Sequence, residues 1–399
     1  MIDSCNQTIK TIGLLSLFSC VKFQERIKYK VDEFVVSRLI QFLEISEFAK
    51  LSNDIMNGLT KDEYNSLILA DYLAAQCPTV PIHNVHKFTR LVAKLVIYSE
   101  VFGKALAKST TIIQLVNIYN DAKKDILLSM ALMEDFANIS SNIDCAKVFA
   151  DSIIVSDVIK ELHNAENSFF SSYLKFLTQI ISGTFPESSQ ILDFLICTCI
   201  KIEPNTSNWH IIFQIYQSLT FLLTNRQILL HLYTENVDIF NDILFYYKRI
   251  VKYVPTNQIG DFYQIYSHLF SEIATDPQIS KALQQLYHNL VSNQRLNDLL
   301  KSIDCEIQKA GLLLVLTVST NIWAVDDLAN HRMGPLSVLT EPGIFMKNSE
   351  NLALKDDVLR MYLKNPLFSQ KFNQEEKDRM NKILNRGITS QVSVGFQNA

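Results

Sequence analysis

The chain has 399 residues, 48% hydrophobic and 20% charged, with a formal net charge of -4. That balance excludes a disordered chain and favours neither nucleic acid nor an acidic substrate as the dominant partner. With 10 glycines and 9 prolines there is little material for sheet hairpins, and neither GxxxxGK nor GxGxxG occurs to cradle a nucleotide.

The first predicted element is the apolar run Ile12 to Val21. It is too short to cross a bilayer, which takes about 20 residues. It lacks the basic start and cleavage site of a signal peptide. The expectation is a capping helix within residues 1–30. Apolar residues then recur three and four apart almost everywhere, the helical period. Phe34, Val35, Leu39, Phe42 and Leu51 mark one helix across 31–56. Thr60 with Glu63 reads as a capping box for the next. Asn84 opens a long helix whose stripe runs from Phe88 to Val101 and Phe102. Asp144 is expected to cap a helix from Val148 through Leu162, and Ser207 one from Ile212 to Leu223.

Asn236, Asp276 with Pro277, Ser292 and Asp304 open later helices, each followed by its own apolar stripe. Residues 331–348, with Gly334, Pro335, Pro342 and Gly343, read as a loop. Ser349 is expected to cap the first of two C-terminal capping helices, 349–387, the second ending at Gly387. Residues 388–399 read as a flexible tail. Only Val392 to Phe396 alternates as a strand would.

The reading is all-α, about fifteen helices in hairpins that recur roughly every 40 to 45 residues over 31–330. Five stripe residues cannot offset the entropy of ordering one helix, so each hairpin needs the next one to cover it. In hairpin period and in openings such as Asp276-Pro277, the chain resembles the HEAT/armadillo class of α-solenoids. It lacks the usual armadillo glycine and the HEAT Asp and Arg ladder. The resemblance implies a right-handed superhelical stack of antiparallel hairpins. It also implies a scaffold, an adaptor, or a regulator such as an exchange factor acting on a GTPase or chaperone.

Seven cysteines are scattered and odd in number, which suits a reducing compartment; the expected location is cytoplasmic or nuclear. Cys77, His83 and His86 could supply three zinc ligands, but no fourth lies nearby, and ordinary loop histidines explain them better. Cys197 and Cys199, two apart on a helix, point in different directions and read as core. Asp326-Asp327 and Asp356-Asp357 resemble diphosphate-binding aspartate pairs, yet Asn330 and Arg360 stand where a further acid is needed. No catalytic, cofactor-binding or metal motif emerges, so the chain reads as a non-enzyme without cofactor.

The best surface signal is basic. Lys87, Arg90 and Lys94 share one helical face, continued by Lys104 and Lys108. The alternative is a solvated helix face. An acidic stretch follows at Asp144, Asp151, Asp157, Glu161 and Glu166. Tyr246, Tyr253 and Tyr287 are candidate surface anchors. The expected function is a non-enzymatic scaffold binding a protein partner, one with an acidic segment. An all-helical enzyme, with His163, Asn208 or His210 lining a pocket, is the remaining alternative.

Overall fold

The computed structural model describes residues 7–22, 30–43, 45–162, 168–329, 334–345 and 348–394, with side chains followed through residue 385. Among these there are 24 α-helices and no strand. The helix number exceeds the expected fifteen because several expected helices divide and because short pieces such as Leu336–Leu339 and Pro366–Ser369 are also helical. The chain divides into two compact units, Met1–Thr198 and Cys199–Ala399.

The first unit begins with α1 (Gln7–Lys22), α2 (Glu33–Leu43), α3 (Ser46–Leu59) and α4 (Glu63–Gln76). It continues with α5 (Val85–Tyr98), α6 (Glu100–Lys108), α7 (Thr111–Ala122) and α8 (Ile126–Ile139). The last four are α9 (Ile143–Ala150), α10 (Ile153–Glu161), α11 (Phe170–Thr184) and α12 (Ser189–Ile200), the unit boundary falling inside α12.

Several expected helices divide here. The one across 31–56 breaks into α2 and α3. The one from Asn84 breaks at Ser99, whose hydroxyl oxygen accepts the Phe102 N–H and so opens α6. The helix expected from Asp144 to Leu162 breaks at Ser152, between α9 and α10. Two caps also move here. Asp62, not Thr60, caps α4, accepting from Asn65 N, while Thr60 ends α3. Asn142, not Asp144, caps α9.

Stacking follows from the stripes. α1 buries Leu14, Leu17 and Val21, and packs on α3. α5, α8 and α11 form a row in which each packs on the next; α4, α6 and α9 form another. Rings from α8, α9 and α11 meet in the core: Phe136 lies 5.2 Å from Phe149, which lies 5.4 Å from Phe176. Polar ties join equivalent places. Ser99 Oγ donates to Thr60 O, Thr111 Oγ1 to Ala70 O, and Asn142 Nδ2 to Glu100 O, across 39, 41 and 42 positions.

The second unit contains α13 (Trp209–Thr224), α14 (Arg226–Thr234), α15 (Val237–Ile250), α16 (Ile259–Ser267), α17 (Pro277–Leu290) and α18 (Asn293–Leu300). After them come α19 (Cys305–Val318), α20 (Ala324–Leu328), α21 (Leu336–Leu339), α22 (Ser349–Lys364), α23 (Pro366–Ser369) and α24 (Gln374–Val394). Asp276, Ser292 and Asp304 cap α17, α18 and α19 as expected. Asn208 rather than Ser207 precedes α13, and Asn348 rather than Ser349 caps α22. α24 continues past Gly387, its expected end.

α14 and α15 pack on α17, and α16 packs on α19, which in turn packs on α22. Tyr216 stacks on Phe262 at 4.1 Å, and its hydroxyl donates to Phe262 O at 2.7 Å. That tie spans 46 positions; Asn289 Nδ2 to Leu244 O spans 45, and Asn351 Nδ2 to Cys305 O spans 46. The expected loop from 331 is not all surface: Leu336, Val338, Leu339 and Phe345 are buried.

Candidate partner-binding face

The candidate face lies in the first unit, on the α5–α8–α11 row. The buried side of α5 holds Val85, Phe88, Leu91, Val92, Leu95 and Val96. Residues three and four apart share a helix side. Lys87, Arg90 and Lys94 therefore fall together on the side left over, and all three are exposed.

Across from them sits a group that the sequence did not single out. Asp135 of α8 is only 4% exposed, and its Oδ2 has no hydrogen-bond partner among the described residues. His86 Nε2 stands 3.8 Å away. Burial pushes the Asp135 carboxyl up to about 7; Arg90 opposes that most strongly, Glu134 adds to it, and Lys175 and Lys94 oppose it further. Lys175 of α11 also donates to Asn138 Oδ1 of α8 at 3.2 Å. Arg90 and Lys94 are thus joined by Lys175 around one poorly solvated carboxylate.

Lys104 and Lys108 are exposed but lie beyond the Ser99 break, on α6. Lys104 is committed locally, its ammonium 2.6 Å from Glu100 Oε1 and within reach of the Asp144 charge. Of the acidic stretch, Asp157 binds Lys123 at 2.9 Å and Lys160 at 3.8 Å. Glu166, like His163, lies outside the described residues.

Tyr246 and Tyr287 are not surface anchors. Both are 1% exposed, Tyr287 against Phe270 and Trp323; Tyr253 alone of the three is exposed, at 38%. Their positions belong to the buried stripes of α15 and α17, which a single sequence does not distinguish from a flanking position. Asn208 is engaged with Glu203 O and Asn205, and His210 is exposed, so neither lines a buried pocket.

The other chemical candidates are occupied by structure. Cys77 is fully buried, and burial pushes its thiol up to about 12. Among the described residues no three His, Cys, Asp or Glu side chains gather as a metal site needs. The aspartate pairs have basic neighbours: Asp326 with Lys371 at 2.7 Å, Asp327 with His288 at 3.4 Å, Asp357 with Arg360 at 3.3 Å. No helix among the described residues is long and apolar enough to cross a membrane.

No family model matches the chain, and no curated protein does. The crystal structure of an engineered protein from the Northeast Structural Genomics Consortium aligns over 96% of this chain and 97% of its own, at 15% identity. Its TM-score is 0.39.

Proposed function

We propose that the chain is a helical-repeat scaffold or adaptor of the HEAT/armadillo kind. It binds a protein partner through an acidic segment laid across α5, α8 and α11 of the first unit. Support for the repeat comes from the polar ties between places some 39 to 46 positions apart in each unit. The observation that carries the binding face is the gathering of Arg90, Lys94 and Lys175 around Asp135. Arg90 and Lys94 come from α5 and Lys175 from α11, so a partner reads all three only in the stacked row. Charge of this kind sets partner choice and association rate more than affinity. Lys87 extends the strip; Lys104 and Lys108 flank it on α6.

The test is affinity capture from native extract with the wild-type chain and with the variant Arg90→Glu, Lys94→Glu, Lys175→Glu. A reproducible partner with an acidic segment, lost by the variant, supports the reading. Capture unaffected by the variant removes this face from the proposal. No reproducible partner, together with turnover of a small molecule, removes the scaffold itself.

A further inference from the structure

The second unit carries a cleft of about 740 Å³ with an arrangement of charge that packing alone does not explain. Its walls are the 337–345 segment, α22 and α24. Lys355 of α22 lines it and is only 8% exposed. Its ammonium lies 3.6 Å from Asp356 Oδ1 and 5.9 Å from the Phe345 ring centre, and makes no hydrogen bond among the described residues. Asp356 thus offers it one long ion pair, and its three donors leave room for a further acceptor. On the facing wall, Arg379 and Lys382 stand three apart on α24, exposed and without ion pairs among the described residues. Three cations thus border one cavity, against the acids Asp356 and Glu341. Apolar side chains, among them Phe345, Leu352 and Ile383, line the remainder.

The size lies within the range of small-molecule sites, which are mostly apolar with a few placed polar groups. The geometry points to a binding site for an amphipathic organic anion: a phosphate or carboxylate head held by Lys355, Arg379 and Lys382, with a short apolar body against Phe345, Leu352 and Ile383. The anion supplies Lys355 an acceptor at hydrogen-bond distance, which Asp356 at 3.6 Å does not. A neutral molecule of the same shape leaves that ammonium with Asp356 alone and binds worse, since hydrogen bonds to charged groups are the strong ones. Inorganic phosphate has the head without the body and also binds worse. This site is separate from the proposed partner face and stands or falls without it.

The experiment is calorimetric titration of the full chain with octyl phosphate, octanoate, octanol and inorganic phosphate. Octyl phosphate or octanoate is expected to bind one to one, at least about tenfold tighter than octanol or inorganic phosphate, the ratio for about 1.4 kcal/mol. A preference between the two anions assigns the head group, and equal binding leaves charge alone as the selector. Lys355→Met keeps the length of the side chain and is expected to weaken binding by about tenfold or more. Arg379→Gln with Lys382→Gln, both at exposed positions, keeps the inference testable if Lys355→Met fails to fold. It too should weaken the anions and leave octanol unchanged. Octanol binding as tightly as the anions, no anion binding at all, or anion affinity untouched in the folded variants overturns the inference.

Discussion

Gly103 of α6 and Asn142, the N-cap of α9, meet so closely that a Cβ on the glycine would lie 2.3 Å from the asparagine Nδ2. Asn142 cannot readily move aside, because its Oδ1 accepts from Asp144 N and Cys145 N while Nδ2 donates to Glu100 O. Cys145 Sγ donates back to Gly103 O at 3.3 Å. Gly103→Ala should therefore destabilise by about 1–3 kcal/mol, the usual cost of overpacking. Asn142→Ala should lose about 1 kcal/mol as a lost cap. In the double variant the glycine change should cost less than it does alone, since the obstructing amide is gone. Urea unfolding of all four proteins checks this; simple additivity would show that the two residues do not restrain each other.

Asp135 gives the chain a stability that depends on pH in the less common direction. Burial lifts its carboxyl from 3.8 to about 7. Between those values the folded chain keeps a proton that the unfolded chain has released. Stability therefore falls as pH rises across that window and levels off above it. One pKa unit corresponds to about 1.4 kcal/mol, so the loss is at most about 4 kcal/mol. Asp135→Asn should remove that part of the slope and equal or exceed the wild type at about pH 8. Urea midpoints across the range, compared between the two proteins, decide it; parallel curves would refute the assignment.

Buried tyrosines should divide by whether the hydroxyl is used. Tyr216→Phe removes a buried hydrogen bond to the Phe262 carbonyl and should cost about 0.5–1.5 kcal/mol. Tyr246 and Tyr287 have hydroxyls without a partner among the described residues. Tyr246→Phe and Tyr287→Phe should leave stability unchanged or raise it slightly. Thermal melts of the three variants test the contrast, which fails if Tyr216→Phe is the mildest.

The proposed α5–α8–α11 face should show its charge in kinetics. Association of an acidic partner should slow as ionic strength rises, because exposed charges are screened beyond roughly 8 Å at physiological salt. Lys175→Ala should slow association comparably to Lys94→Ala, although only the latter lies in the basic run of α5. Stopped-flow rates at low and high salt measure both. A rate indifferent to salt and to Lys175 would point the partner elsewhere.

The all-α architecture was legible because apolar stripes repeat through the chain, and because Asp276, Ser292 and Asp304 each precede one as a cap should. The breaks at Ser99 and Ser152 were not legible, because a single serine within an apolar pattern fits a helix interior as well as a break. At Ser99 the deciding factor is the Phe102 N–H that its hydroxyl accepts, whereas the Ser152 hydroxyl donates to Phe149 O. The candidate face was half legible. Lys87, Arg90 and Lys94 share a helix side by spacing alone, whereas Lys175 joins them only through the stacking of α11 on α8. Asp135 follows Glu134 and reads as the solvent side of α8; its burial comes from tertiary packing that local pattern does not encode.

Ser99, Asn225 and Asn365 each end one helix and begin the next with no residue between. Such a one-residue elbow has no slack. Lengthening it by a single residue would separate the cap from the helix it opens and rotate the following side chains by about 100° relative to their neighbours. Insertions should instead be absorbed by the longer connections at 201–208 and 251–255, so the places where this chain can change length are set by its joints rather than by its surface.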